Sequence, residues 1–446
     1  MDMSRVGRGR PAGWLLVTLS AGLLLGAQRE PRSASDPEDM LDRGAPPCPS
    51  GASVVSAGTE LQAAVDGAEE GATLCLAPGV YDGPLVVQTP ITILGPAAAV
   101  IRSKGEGTTV RVSANGAALR GFTVEGSGMR YDQADAAVYV RADDAIVSGL
   151  TVRGALFGVV VERSNRVAVT ENDIEGIADL SVGLRGDGIR LWEVRGSTVA
   201  GNRLRDSRDI LIWYSPGNRI VGNTVLRSRY GTHFMYSDDS VVEGNEYRGN
   251  LVGVFVMYSR GVLLRRNVLS DSGGFDGMGL GVKESGNLVV EDNAFLRDRA
   301  CIYLDTSPAR QGDSLLVRGN TLAGCTTAVT FHSTASSNTF ADNVFVANTA
   351  QVTVEGRGNA RGVMWDGNYF DDYEGYDLDG DGFGDVAYEL RSLSERLVSE
   401  HPQLAFFRGT VALDMLDVAA RVFPVLRPET MLVDARPRMS PSAGGG

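Results

Sequence analysis

The chain has 446 residues, enough for two or three ordinary domains or for one long solenoid. Its formal net charge of −13 argues against a general binder of nucleic acid or of anionic membranes. A cationic ligand, a metal or a protein partner remains compatible with that charge.

Residues 1–27 read as a signal peptide. Arg5, Arg8 and Arg10 are basic, and Trp14 to Ala27 form an uncharged apolar run closed by the small residues Gly26 and Ala27. The run falls short of the roughly 20 apolar residues of a membrane span, with a retained anchor as the alternative. Residues 28–47 are polar and Pro-rich, as in a linker. No later stretch is long and apolar enough to span, so the mature protein is expected to be exported and not integral to a membrane.

The body of the chain repeats. Asn172, Asn202, Asn223, Asn245, Asn267, Asn293, Asn320, Asn343 and Asn368 follow one another at spacings from 21 to 30 residues. A large apolar residue stands two positions after each, and a Ser (164, 215, 237, 259 and 285) stands eight before most. Short β-rich runs with Gly and Asn turns at this period predict a right-handed parallel β-helix over 48–391, in which each coil buries its apolar side chains only by stacking on the next. The alternate residues Val159/Val161, Ile189/Leu191, Ile210/Ile212, Val254/Val256, Leu280/Val282 and Ile302/Leu304 are assigned inward by their period of two. The Asn residues are assigned to turn positions tolerant of left-handed geometry, with amides that hydrogen-bond from coil to coil. Residues 59–66 predict a capping helix at the open edge. Residues 392–446 break the pattern and read as a helical appendage and tail. Cys48 with Cys75, and Cys301 with Cys325, suit two disulfides in an exported chain; thiolates holding a soft metal are the alternative.

The opposite alternate set faces outward, and in the middle coils it is unlike an ordinary solvated face. It carries Trp192, Trp213, His233, Met235, Phe255 and Met257. An exposed apolar strip marks a contact surface, which makes Trp192, Trp213 and Phe255 candidates for partner binding. His233 and Met235 point the same way, and Met257 lies in the Met235 column one coil on. An imidazole with two thioethers suits Cu(I) rather than a hard ion; packing alone is the alternative. His332 shares that outward face about four coils away and is too far to join.

Residues 377–385 read DLDGDGFGD. Asp377, Asp379, Asp381 and Asp385 take positions 1, 3, 5 and 9 of a calcium loop, and Gly382 takes the sharp turn. Tyr388 stands where an EF-hand has its bidentate Glu, so this is a variant loop, expected to clamp the last coil to the tail. A solvated acidic turn is the alternative.

Many β-helices cleave or modify polysaccharides, a chemistry that needs an acid/base pair in the outward columns. Glu162 and Asp305 lie six coils apart, and Lys283 beside Asp305 reads as an ion pair. The chain is therefore expected not to be an enzyme, with polysaccharide binding or degradation as the alternative.

The segments GDGIRLW (186–192), GTHFMYS (231–237), GVFVMYS (253–259), GLGVKES (279–285), NYFDDYEGYDLDGDGFGDVAY (368–388) and RVFPVLRPETMLVDARPRM (421–439) together resemble the NosD family. The resemblance runs from about residue 50 to 439. It implies a periplasmic protein that partners an ABC transporter of the NosF–NosY type and acts in copper-site assembly of nitrous oxide reductase. It implies the reductase or a copper chaperone as further partner. It does not itself supply a ligand list.

Overall fold

The computed structural model describes residues 47–441 apart from 275, 333–335, 356–359, 408–409 and 424–429. The signal segment 1–27 and all of the linker but residue 47 lie outside the described residues. Among these residues the strands form three long parallel sheets of 14, 13 and 12 strands, each strand pairing with its counterpart one coil away. This is an all-β parallel β-helix. The inward residues named above are all buried, from Val159 to Leu304, in one continuous core. Each contributes roughly 1.5–3 kcal/mol by burial, so the stack of coils is itself the core.

The Asn column holds the register. Asn202 Nδ2 donates to Asn223 Oδ1 at 2.9 Å and to the Val169 carbonyl at 2.8 Å, while the Asn202 N–H donates to the same Asn223 Oδ1 at 3.0 Å. The pattern recurs through Asn245, Asn267, Asn293, Asn320, Asn343 and Asn368. Each buried amide thereby uses both donors and accepts twice at its oxygen, which removes the cost of burying it. The nine Asn do not adopt the left-handed conformation expected of them. The residue before each one does: Glu171, Gly201, Gly222, Gly244, Arg266, Asp292, Gly319, Asp342 and Gly367 all have φ between 53° and 70°. The preceding residue makes the turn, and this aims the Asn amide inward. A second column runs from Ser215 through Ser237, Ser259 and Ser285 to Ser307, each N–H donating to the next Oγ at 2.9–3.1 Å.

Disulfides join Cys48 to Cys75 and Cys301 to Cys325. Helix α1 (Leu61–Asp66) buries Leu61 and Val65. Its Gln62 side chain bonds both the N–H and the carbonyl of Val86, on the edge strand of the 12-stranded sheet. At the other end, helices α2 (Leu393–Glu400) and α3 (Val411–Val422) form the appendage. The tail is not only helical. Strand Leu432–Asp434 returns to pair antiparallel with Tyr388–Leu390, and buried Asp434 accepts both the N–H and the side-chain amide of Asn368. A carboxylate thus terminates the Asn column. No helix among the described residues is long and apolar enough to cross a membrane.

A third column contains the buried Asn250 and Asp298 and the half-buried Asn348. Their side-chain oxygens accept the N–H of Ser228, Ser272 and Cys325 at 2.8–3.0 Å. Burial pushes the Asp298 carboxyl up to about 7. The unfolded carboxyl ionises near its ordinary value, so the contribution of Asp298 to folding stability falls between about pH 4 and pH 7 and is flat above. Asp298→Asn, which restores the amide found at Asn250 and Asn348, is expected to match the wild type at pH 4 and to exceed it at pH 8 by about 4 kcal/mol. Urea titrations at the two pH values check this; a difference independent of pH would contradict it.

Candidate metal site on the twelve-stranded sheet

Two outward columns cross this sheet in register. One reads Val160, Arg190, Leu211, His233, Phe255, Gly281 and Tyr303; the other reads Glu162, Trp192, Trp213, Met235, Met257, Lys283, Asp305, His332 and Glu355. Met235 and Met257 are lateral neighbours, both half-buried. Beyond Met257 the column turns ionic, with Lys283 to Asp305 at 3.4 Å and His332 to Glu355 at 3.2 Å. His332 therefore has its own partner, four coils from Met235.

The face is less open than its sequence suggests. Val160 and Leu211 are buried, as are Ala136, Leu156 and Phe157, in part under Tyr139 and Leu180. The insertions at 126–135 and 176–188 supply this cover; Tyr131 lies 5.0 Å from Phe157, and Arg190 sits over the Phe157 ring. His233, expected on a solvent face, is only 7 % exposed. Tyr230 packs edge-on to it at 5.0 Å and Phe255 lies 6.1 Å away.

A β-bulge places the imidazole. Asp209 pairs with Tyr230 and Leu211 with His233, so the second strand holds one extra residue. A bulge re-aims the side chains that follow it. Gly231 permits it: a Cβ there would lie 2.2 Å from the Tyr247 ring and 2.4 Å from the Gly253 carbonyl. His233 Nδ1 then stands 3.3 Å from Asp209 Oδ2, and Nε2 stands 3.3 Å from Met257 Sδ. Asp209 is fully buried. Burial opposes its charge, but hydrogen bonds from His233 and Arg229 outweigh burial and hold its carboxyl below the ordinary value. Behind it, buried Asp187 is bonded by Arg190 at 2.6 Å.

A histidine placed in this way could serve as a ligand: a carboxylate bonded to Nδ1 favours the tautomer whose Nε2 lone pair is free. For an ion bound at about 2.0 Å to nitrogen and about 2.3 Å to sulfur, tetrahedral ligand atoms lie roughly 3.5 Å apart. The observed Nε2 to Sδ distance is 3.3 Å, so the pair fits a shared soft ion. Trp192 and Trp213 stack at 5.3 Å, and Phe255 meets Tyr230 edge-on at 5.3 Å. The outward set read from DILIW begins at Leu211; the same parity reaches Asp209, and that was the available signal for it.

The acidic loop lies at the C-terminal end. Asp377, Asp379 and Asp381 each bring a carboxylate oxygen within 4.8 Å of the others. Gly382, at φ 88°, makes the expected turn. Asp385 instead accepts the Leu378 N–H at 2.6 Å, and Tyr388 is buried against Phe370. The loop pairs with the tail through Gly384 N–H to Pro437 O at 2.7 Å and Met439 N–H to Gly382 O at 3.1 Å.

Residues 176–375, which contain the whole of this face from Trp192 on, match the model of a family described as periplasmic copper-binding protein (NosD). A protein of Pseudomonas aeruginosa named probable ABC transporter binding protein NosD is 30 % identical over 403 residues, 79 % of this chain and 85 % of that protein. The chain belongs to the NosD family. A second NosD, from Stutzerimonas stutzeri and bearing the same name, is 30 % identical over 388 residues, 78 % of this chain and 83 % of its own. The fold is wider than the NosD family. The catalytic unit of a GH87 α-1,3-glucanase from Streptomyces thermodiastaticus superposes with a TM-score of 0.54 at 18 % identity, over 74 % of this chain and 71 % of that one.

Gly231→Ala tests the bulge. It is expected to destabilise the protein by about 2–3 kcal/mol through overpacking against Tyr247 and Gly253. It should also shift the His233 imidazole resonances. Wild-type stability with unmoved resonances would show that the bulge does not depend on this glycine.

Proposed function

We propose that this NosD-family protein accepts Cu(I) transiently at His233, Met235 and Met257, and works in the periplasm with an ABC transporter of the NosF–NosY type in copper-site assembly of nitrous oxide reductase. The observation that carries the reading is His233 Nε2 facing Met257 Sδ at 3.3 Å while Asp209 holds Nδ1. Neutral thioether and imidazole donors favour a soft monovalent cargo, and three ligands leave a position through which it can pass on. The family's description and the names of its relatives supply the copper and the transporter.

A catalytic role finds less support. Asp187 and Asp209 are occupied by Arg190 and by Arg229, and Glu162 and Asp305 are separated by the width of the strip. The alternative of polysaccharide binding is weakened by Trp192 and Trp213, which stack on each other rather than offering a free platform. For docking we favour α3. Its Val411, Met415, Val418 and Val422 lie on one exposed stripe, with Phe406, Phe407 and Phe423 exposed beside it. Calcium at Asp377, Asp379 and Asp381, with Asp385 close by in sequence, would brace the loop against the returning tail.

Competition with a Cu(I) chelator tests the site. The triple variant His233→Ala, Met235→Ala, Met257→Ala is expected to lose at least about 100-fold in affinity, and Asp209→Asn about 10–100-fold. Undiminished Cu(I) affinity in the triple variant would remove the metal reading and leave these residues as a docking face. In a separate measurement, Met415→Ser with Val418→Ser should abolish co-purification with the transporter and leave Cu(I) affinity unchanged. Retained co-purification would rule out α3 as the contact.

A further inference from the structure

Five aromatic side chains run without a break along the corner beside the metal site. Trp192 stacks on Trp213 (ring centroids 5.3 Å apart, planes at 18°), and Trp213 on Tyr214 (5.8 Å, 17°). Tyr214 stacks on Tyr236 (5.1 Å, 9°), and Tyr236 on Tyr258 (4.9 Å, 11°). The two indoles belong to the column that continues as Met235 and Met257. Each Tyr follows a member of that column by one residue. All three Tyr have positive φ, but so do Arg163, Glu193, Glu284 and Thr306 at the same turn of neighbouring coils, so the backbone sets nothing apart here. The ring sequence does.

Rings stacked face to face offer a ligand only their edges. What such a stack provides is electronic overlap between neighbours. Trp and Tyr are, with Cys, the side chains most readily oxidised by one electron, and every cysteine here is in a disulfide. Beside them lie two thioethers, whose oxidation to sulfoxide would make them polar and spoil them as soft donors.

We propose that Trp192, Trp213, Tyr214, Tyr236 and Tyr258 form a ladder that carries one-electron oxidation past Met235 and Met257 to exposed phenols, sparing the thioethers. An oxygen- or nitrogen-centred radical takes one electron from an indole and is itself reduced. The Trp213 Nε1 is buried with no hydrogen-bond partner among the described residues, so the oxidised indole keeps its proton and remains a strong oxidant. An electron then passes from Tyr214 to Trp213, and the Tyr214 phenol, about half exposed, releases its proton to water. The tyrosyl radical moves to Tyr236 and Tyr258 by the same exchange of one electron and one proton. A small-molecule thiol returns the phenol by giving up a hydrogen atom, and two thiyl radicals combine to a disulfide. The inference stands apart from copper binding and is tested without it.

Pulse radiolysis of the metal-free full-length protein with the azide radical makes the tryptophan radical and follows the rise of the tyrosyl radical. The expected conversion is first order and independent of protein concentration. Tyr214→Phe keeps the ring and its packing but cannot form a phenoxyl radical. It should slow the conversion at least tenfold, with the same thermal unfolding midpoint. In a separate exposure of the same proteins to hydroxyl radicals under air, where the radical adds to sulfur and dioxygen takes the remaining hydrogen atom to leave the sulfoxide, it should raise the sulfoxide yield at Met235 and Met257 several-fold. Tyr258→Phe should leave the initial conversion intact. A wild-type rate in Tyr214→Phe, a rate that rises with protein concentration, or equal sulfoxide yields in the two proteins would each overturn the proposal.

Discussion

A buried side-chain amide is tolerable only when both donors and the acceptor find partners, and in this protein the partner is the same amide one coil away. From Asn172 to Asn368 the side chains meet that condition for one another, and Asp434 meets it for the last. A coil slipped by one residue would strand two amides in an apolar core. The column therefore fixes which residues of successive coils are neighbours, and every outward arrangement inherits that register.

Variation is then affordable on the outside. Insertions at 126–135 and 176–188 leave the inner columns intact and cover one end of the outer face. The single extra residue after Tyr230 is absorbed as a bulge, the Asn223 to Asn245 hydrogen bond being kept. Within that frame the middle coils assemble a histidine held from behind by a buried, arginine-bound carboxylate and faced in front by a thioether. Neighbouring coils, with the same backbone, carry ion pairs such as Lys283–Asp305 instead. Chemistry here resides in a few columns, and the glucanase that shares the fold says nothing about it.

Soft donors that bind a soft ion are also easily oxidised, and their usefulness depends on what lies beside them. The half-buried Met235 and Met257 are flanked on one side by Tyr230 and Phe255, which limit access to His233, and on the other by the stacked indoles and phenols. Shielding and redox ladder are separate physical means towards one end, the survival of the two thioethers.

The inner and outer columns were legible in the sequence because a parallel β-helix converts period into position: Val159 to Leu304 inward, and Met235 beside Met257, follow from spacing and the alternation of a strand. NosD-family membership was legible in the combination of the coil motifs with the acidic loop of 368–388 and the tail of 421–439, which β-helix repeats in general do not share. What spacing could not convey is where side chains of different columns meet. The burial of His233, its bond to Asp209, the turn of Trp213 onto Tyr214 and the return of Asp434 under Asn368 each depend on rotamers, a bulge or a chain reversal. Those are settled by packing in three dimensions, to which a one-dimensional period is blind.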